Sequence, residues 1–136
     1  MNGIIIGGGI GGLTTAIALS QRGISCAVYE QAPEIHEVGA GLVMSPNAMQ
    51  ILNWLGLSDE LQRIGWSLDA GHITNAVGKP AQVVDIKALT KKFGFGMYVV
   101  HRGKLQQLLA NQLSLKQIHT GKKLISITQT SDHVQV

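Results

Sequence analysis

The stretch GIIIGGGIGG at residues 3–12 decides the fold of this 136-residue chain. Its isoleucines, Ile4 to Ile6, favour an extended strand, because two heavy atoms on Cβ pack well on a pleated surface. Glycines at positions 7, 9 and 12 follow directly with the spacing G-x-G-x-x-G. In that spacing one glycine permits a tight turn, one lets the backbone approach a pyrophosphate, and one permits close helix–strand contact. The stretch therefore predicts a strand, a phosphate-binding turn and the start of a helix.

A helix over residues 13–22 and a second strand over residues 24–30 extend this pattern to βαβ. Gly23 suits the position just after a helix, because glycine adopts the left-handed conformation common there. Free N–H groups and the positive end of the helix dipole would make an anion site from backbone alone. Glu30 lies 18 residues after Gly12, close to the roughly 20 expected for an acid that binds a ribose. The alternative is an ordinary βαβ turn followed by a surface glutamate.

The rest of the chain predicts further elements. They are an extended segment at 39–44, a helix at 46–55, a short helix at 58–64 with Ser58 as N-cap, β-like runs at 66–70, 72–77 and 81–86 with a hairpin at 78–80, a loop or irregular helix at 87–96, a strand at 97–100, a helix opening at 101–102, a short strand at 117–119 that can return to the parallel sheet, and a hairpin over 124–136.

Antiparallel strands between residues 66 and 100 do not fit a parallel nucleotide-binding sheet. We therefore predict an α/β fold: a Rossmann-like βαβ unit with a parallel sheet, and an inserted antiparallel β segment from a second, incomplete domain. The predicted boundaries are 1–65, 66–100 and 101–136, the last segment returning to the first domain.

Composition narrows the class of protein. Hydrophobic residues make up 45% of the chain and charged residues 14%, which indicates a globular fold with some apolar surface covered by something outside this chain. The net charge of +3 is spread over separate lysine pairs, so we expect no nucleic-acid binding. A single cysteine, Cys26, permits no internal disulfide and fits a reducing compartment, so we expect a cytoplasmic location. The sequence has neither a basic leader before its first apolar run nor an 18-residue apolar span, so we expect no signal peptide and no transmembrane segment.

Other chemistries find little support. The five histidines show neither i, i+4 pairing nor a cysteine partner, so we expect no metal site. No serine stands in a nucleophile-elbow setting, which argues against a serine hydrolase. Cys26 lies inside the second predicted strand and is expected to be a buried packing residue rather than a redox thiol. Trp54 and Trp66 fit either the core or a substrate pocket.

Three motifs, in this order and spacing, carry a family resemblance. They are Gly7 to Leu13 followed by Glu30; Gly39-Ala40-Gly41 with Pro46-Asn47-Ala48 and Leu55-Gly56-Leu57; and His101-Arg102 with Leu105. Together they resemble the FAD-dependent aromatic-ring monooxygenases of the para-hydroxybenzoate and salicylate hydroxylase type. The resemblance covers essentially all 136 residues, and it is specific for the superfamily rather than for a substrate.

The resemblance implies a set of FAD-binding residues. Glu30 corresponds to the acid that binds the adenosine ribose, and Arg102 to the arginine that reaches the FAD phosphate and ribityl region. The guanidinium of Arg102 suits that role, because it offers several fixed donors and stays charged, whereas a cation at a helix start otherwise opposes the helix dipole. The remaining implied residues are the pyrophosphate loop, Gly7, Gly9, Ile10, Gly11 and Gly12, and the backbone near Gln31, Val43 and Leu124.

The resemblance also implies an activity. Members of the family take electrons from NAD(P)H as a transient co-substrate and use the reduced flavin and dioxygen to hydroxylate a small aromatic substrate. Family members are normally near three times this length, and an Asp-Gly and a Gly-Asp segment that follow in the family have no counterpart here. We therefore expect residues 1–65 and 101–136 to serve FAD, residues 66–100 to belong to the substrate domain, and this chain alone to be inactive. Its catalytic residues are not identified.

Two other functions remain open at this point. The chain can be a non-catalytic nucleotide-binding module that pairs with itself or another chain, since the edge strand at residues 134–136 would invite such pairing. It can also be the NAD-binding domain of a dehydrogenase. Glu30 permits NAD, but Arg102 and residues 39–47 would have no role there.

Overall fold

The computed structural model describes residues 2–35 and 39–136. The predicted loop after the second strand thus lies partly outside the described residues, at positions 36–38. No helix in the described ranges is both long enough and apolar enough to span a membrane. The elements are β1 (Asn2–Ile6), α1 (Ile10–Ser20), β2 (Ser25–Tyr29), β3 (Gly41–Met44), α2 (Pro46–Trp54), α3 (Ser58–Ile64), β4 (Trp66–Leu68), β5 (Gly71–Thr74), β6 (Pro80–Val84), α4 (Ile86–Phe93), β7 (Met97–His101), α5 (Arg102–Ala110), a 3-10 turn (Leu115–Gln117), β8 (Ile118–His119), β9 (Thr128–Gln129) and β10 (Val134–Gln135).

The chain forms two compact units. One contains Met1–Glu37 and Gln106–Val136, and the other contains Val38–Leu105. This division differs from the predicted boundaries at residues 65 and 100. Those boundaries concern which segment serves the cofactor and which serves the substrate, and they remain a prediction.

A parallel sheet forms the first unit, with β2 between β1 and β8. Ile4 pairs with Ala27, and Val28 pairs with Ile118, all in parallel register. Parallel neighbours require a crossover connection, and α1 supplies it between β1 and β2. The predicted parallel βαβ unit is confirmed, and so is the return of the chain near residue 118 to the same sheet.

Helix α1 begins at Ile10, inside the glycine cluster and three residues before the predicted start, and it ends at Ser20. Its buried stripe is Leu13, Ala16 and Ile17, whereas Ser20 is exposed. Burying a side chain of the size of leucine contributes about 1.5–3 kcal/mol. The packing of this stripe, rather than its intrinsic helix propensity, therefore stabilises a helix that opens with two glycines among its first three residues.

Gly12 sets how closely α1 approaches β1. A Cβ built on Gly12 would overlap the carbonyl oxygen of Gly7 and lie 3.2 Å from Cγ2 of Ile5. The first turn of the helix is thus in contact with the backbone that leaves the strand. Any side chain at position 12 would force the helix away from the sheet.

A short antiparallel hairpin follows β8. Val134 of β10 pairs with Gln129 of β9, which confirms the predicted hairpin, although its strands are only two residues long. The turn is held by the Thr130 hydroxyl, which accepts from the backbone N–H of His133 at 3.2 Å.

The second unit contains an antiparallel sheet in which β7 lies between β3 and β4, and a separate hairpin of β5 and β6. The turn of that hairpin contains Gly78 in the left-handed region (φ +79°), as the Gly-Lys-Pro sequence predicted. Met49 of α2, Leu61 of α3 and Val100 of β7 are almost completely buried and form the core.

Two local predictions in this unit are corrected by the structure: the loop or irregular helix at residues 87–96, and Ser58 as the N-cap of α3. Residues 87–93 belong to a regular helix, α4, because Asp85 caps its start by accepting the N–H of Ala88 at 2.9 Å and Gly94 ends it with φ +77°. Ser58 does not cap α3, since Leu57 occupies the cap position. The buried Ser58 hydroxyl instead donates to Oδ1 of Asn53 at 3.3 Å.

The packing at Gly12 predicts opposite effects for two neighbouring substitutions. Gly12→Ala should lower the free energy of unfolding by about 3 kcal/mol, at the upper end of overpacking costs, because its methyl group meets backbone that cannot move aside. Gly11→Ala is the matched control: a Cβ there has no atom within 4 Å. Because alanine favours a helix over glycine, this variant should be as stable as the original or more so, by up to about 1 kcal/mol. Urea denaturation followed by circular dichroism measures both, and equal midpoints for the two variants would contradict the packing constraint.

Candidate cofactor site

The turn after β1 presents backbone without side chains. Gly7 has φ +102°, a conformation that L residues rarely adopt, and its N–H donates to the carbonyl of Tyr29 at 2.8 Å. This hydrogen bond continues the β1–β2 pairing into the turn. The turn is therefore tied to the carboxyl end of the parallel sheet, which is where ligands bind in open α/β folds.

The N-terminus of α1 opens directly from this turn. Gly9 is the N-cap residue, and as a glycine it has no side chain with which to cap the helix. The first N–H groups of a helix have no intrahelical acceptor, and the helix dipole makes them attractive to an anion. A Cβ at Gly9 or Gly11 would have no atom within 4 Å, so the space beside these glycines is open. The arrangement fits the pyrophosphate of a dinucleotide.

The carboxylate of Glu30 faces the glycine loop. Its Oε2 accepts the N–H of Gly8 at 2.6 Å, and its Oε1 accepts the N–H of Ala32 at 2.8 Å. A Cβ on Gly8 would lie 3.0 Å from Cβ of Glu30, so the close approach needs glycine at position 8. A carboxylate has about four acceptor sites, and the donors in residues 2–35 and 39–136 occupy two of them, which leaves two for other donors. These two suit ribose hydroxyls; the ribose role of Glu30 stays a prediction.

A cavity of about 240 Å³ lies beside the carboxylate. Four residues predicted from the sequence to bind the cofactor line it: Gly7, Glu30, Gln31 and Leu124. The same wall contains four residues that the sequence did not single out: Ile6, Tyr29, Lys122 and Lys123. The two lysines follow strand β8, and the rule that ligands bind beyond the carboxyl ends of parallel strands could have identified them.

The chain after β8 is held against the end of β2. Glu30 donates its backbone N–H to the carbonyl of His119 at 2.9 Å and accepts from the N–H of Lys122 at 2.8 Å. The rings of Tyr29 and His119 stack with their centroids 4.9 Å apart. Glu30 is thus fixed through its backbone as well as its side chain, so the carboxylate has little freedom to turn away from the loop.

Gln106 is a further residue at the loop that the sequence did not indicate. Its Nε2 donates to the carbonyl oxygen of Gly8 at 2.8 Å, across 98 residues of sequence. No local pattern marks it, because it stands between the leucines of α5 like any polar residue on a helix.

The structure describes Val43 and Arg102 within the second unit. Val43 lies on β3, pairs with Val99 and is 52% exposed. Arg102 begins α5, and its backbone N–H donates to the carbonyl of Ala40 at 3.3 Å. A Cβ on Gly39 would lie 3.1 Å from Cδ of Arg102, so the glycine makes room for the arginine stem. Roles in cofactor binding for both residues remain a prediction.

A parallel βαβ unit, a main-chain anion site and an acid at the end of the second strand define a dinucleotide-binding domain. Comparison with known families makes the class specific. The chain belongs to the FAD binding domain family, whose pattern matches residues 1–136. The resemblance inferred from the glycine loop, the Gly39 segment and Arg102 is confirmed.

Two curated relatives are by name a hydroxylase and a monooxygenase of substituted benzoates. The chain is 34% identical over 142 residues to 3-hydroxybenzoate 6-hydroxylase of Klebsiella oxytoca, covering 100% of this chain and 36% of the relative. It is 31% identical over 134 residues to 3-amino-4-hydroxybenzoate 2-monooxygenase of Streptomyces cremeus, covering 97% and 34%. The chain thus spans about a third of the length of these relatives.

Solved structures agree with the fold. HpxO of Klebsiella pneumoniae, complexed with FAD and uric acid, superposes with a TM-score of 0.86 at 29% identity, over 98% of this chain and 34% of that one. The p-nitrophenol 4-monooxygenase of Pseudomonas putida superposes with a TM-score of 0.87 at 20% identity, over 96% and 34%, which supports the fold alone. The predicted α/β class with FAD as its cofactor is confirmed.

The hydrogen bond between Glu30 and Gly8 predicts a loss of stability when the carboxylate is removed. Glu30→Ala should lower the free energy of unfolding by about 2 kcal/mol without any cofactor, because it leaves the buried N–H of Gly8 without its acceptor. Asp69→Ala removes an exposed carboxylate and should change it by less than about 0.5 kcal/mol. Urea denaturation of the cofactor-free protein measures both, and equal midpoints would mean that the contact with Gly8 contributes nothing.

Proposed function

We propose that this chain is the N-terminal FAD-binding part of an NAD(P)H-dependent flavin monooxygenase that hydroxylates an aromatic or related small molecule. The observation that carries the proposal is the glycine loop from Gly7 to Gly12, which leads into the start of α1 beside Glu30 in a chain that the FAD binding domain family matches throughout.

In this proposal the chain binds and orients the cofactor. The N–H groups at the start of α1 bind the pyrophosphate, and the free acceptor sites of Glu30 bind the adenosine ribose. The cavity lined by Gln31, Lys122 and Leu124 has room for atoms of the adenosine. Glu30 also disfavours a 2′-phosphate on that ribose, because two anions would meet. When bound, the flavin supplies the electron transfer and the oxygen chemistry.

Arg102 is the proposed second contact to the phosphates. Gly39 leaves room for its stem, and the carbonyl of Ala40 holds its backbone, so the start of α5 is fixed while the side chain is exposed. A guanidinium binds phosphate oxygens through paired donors and remains charged at any working pH. Val43 and the backbone near Leu124 are proposed to line the cofactor as well.

Activity, substrate and partners of the whole protein belong to the proposal too. The names of the relatives favour an aromatic ring as substrate, and the uric acid bound to HpxO favours a related heterocycle as an alternative. The electron donor that we propose, a reduced nicotinamide, rests on the family resemblance alone. Since the chain spans about a third of their length, we expect it alone to be inactive. We also propose a cytoplasmic location and self-association through the edge at residues 134–136, where Val134 is half exposed.

Calorimetric titration with FAD and with NAD tests the cofactor. We expect FAD to bind and NAD to bind at least tenfold more weakly, because Arg102 is proposed to reach the ribityl region of FAD as well as the phosphate, and NAD has no ribityl chain. A protein that binds NAD as tightly as FAD would favour a dehydrogenase domain. Sedimentation of the same sample tests self-association, which a strict monomer at micromolar concentration would exclude.

The activity is tested in a chain continued to the length of its relatives. We expect a yellow protein whose oxidation of NADH or NADPH is stimulated by an aromatic compound. The 136-residue chain should show no such stimulation. A flavin-loaded extended protein that never responds to any aromatic or heterocyclic compound would contradict the monooxygenase proposal and leave FAD binding intact.

Arg102→Met should weaken FAD binding about ten- to a hundredfold, since a hydrogen bond to a charged group contributes roughly 1.5–3 kcal/mol. The control is Arg63→Met, which removes an exposed arginine near the end of α3. Its FAD dissociation constant should stay within about twofold of the original, as expected for a surface change. Equal dissociation constants for the two variants would remove Arg102 from the site.

A further inference from the structure

The peptide group between Gly8 and Gly9 is held by the side chain of Gln106, which belongs to the later of the two chain segments in the first unit. Gly8 is buried, and its carbonyl oxygen accepts from Nε2 of Gln106 at 2.8 Å. Its N–H donates to Glu30 at 2.6 Å. Both polar groups of Gly8 are therefore taken by side chains, although the positive-φ turn is at Gly7 and the close helix contact is at Gly12.

The Gly8 carbonyl determines which end of the Gln106 side-chain amide faces it. A carbonyl oxygen only accepts, so the amide of Gln106 must present its NH₂ group to it. Gln106 is half-buried, and Leu109 and Ala110, the next residues of α5 on the buried side, anchor that part of the helix. The NH₂ group of Gln106 is thus held in place, unlike the end of a freely rotating surface side chain.

The hydrogen bond has a consequence for the next residue. In a planar trans peptide the N–H points opposite to the C=O. The direction of the Gly8 carbonyl therefore fixes the direction of the N–H of Gly9, the N-cap residue of α1. Because glycine stands on both sides of this peptide, no Cβ resists its rotation, and only hydrogen bonding keeps it in one orientation.

We propose that Gln106 is a positioning residue for the cofactor: by holding the Gly8 carbonyl, it keeps the N–H of Gly9 directed away from Gln106 and toward the pyrophosphate. The inference rests on the proposed FAD function and deepens it. One N–H of the Gln106 amide is given to the Gly8 carbonyl, and the role that we propose for this residue is to orient the loop rather than to bind the phosphates. It sets the orientation of a main-chain donor, the N–H of Gly9.

The test compares Gln106 with its neighbour. Gln107 is exposed, and its Nε2 donates to Asn111 within the same helix at 2.9 Å. Gln106→Met keeps the length of the side chain and removes the donor. FAD binding, followed by calorimetry, should weaken about five- to tenfold in Gln106→Met and by less than twofold in Gln107→Met. Urea midpoints of the cofactor-free variants check that both are folded.

A second variant separates a donor from mere packing. Glutamate at position 106 has the same shape, but it donates a hydrogen bond only when protonated, below roughly pH 4.3 in an ordinary setting. At pH 8, Gln106→Glu should bind FAD more than about tenfold more weakly than the original protein, because a carboxylate faces the Gly8 oxygen. Toward pH 5 its affinity should recover relative to Gln107→Glu, which should follow the original protein at each pH.

Three results decide the matter. If Gln106→Met and Gln107→Met bind FAD equally, the positioning role is wrong while the proposed function stands. If Gln106→Met weakens binding but Gln106→Glu shows no recovery beyond that of Gln107→Glu, the residue acts through packing and the role is again wrong. If the unsubstituted protein binds neither FAD nor ADP, the proposed function fails and the positioning role fails with it.

Discussion

The absence of a side chain at Gly12 is the constraint on which the cofactor site depends. It lets the first turn of α1 lie against the carbonyl of Gly7, so the helix starts where the strand ends. A helix displaced by one methyl group would present its free N–H groups to solvent beside the sheet rather than over the turn. Strand, turn and helix are therefore one unit, and the parallel register of β1 with β2 brings Glu30 to the same edge.

The surface that meets the cofactor and the groups that hold this surface are different parts of the chain. Main-chain amides supply the anion site, and glycines keep it open. Glu30 and Gln106, which are distant in sequence, bind the buried Gly8 from two sides. Preorganised donors of this kind bind without the cost of ordering them, which is why the supporting hydrogen bonds matter as much as the contacts themselves.

The βαβ unit was predictable because its signals are local: three β-branched residues, a fixed glycine spacing and an acid at the expected distance. Helix α4 was predicted only as a loop or irregular helix, because Ile86 was assigned to the preceding β-like run and because the boundaries of the helix depend on the cap at Asp85 and on Gly94. Ser58 was assigned to a cap because serine favours that position, but burial beside Asn53 prevailed. The contact of Gln106 with Gly8 depends on tertiary packing between segments 98 residues apart, which no short-range pattern encodes.

A binding surface built from glycine backbone has no side chains that evolution could exchange to adjust it. Gly7 is restricted by its positive φ, Gly8 by the nearness of Glu30 and Gly12 by the carbonyl behind it. A change in affinity that leaves these three glycines in place must then come from residues that support the loop, such as those at positions 30 and 106. A substitution there can alter how firmly the cofactor is held without any change in the glycine backbone itself.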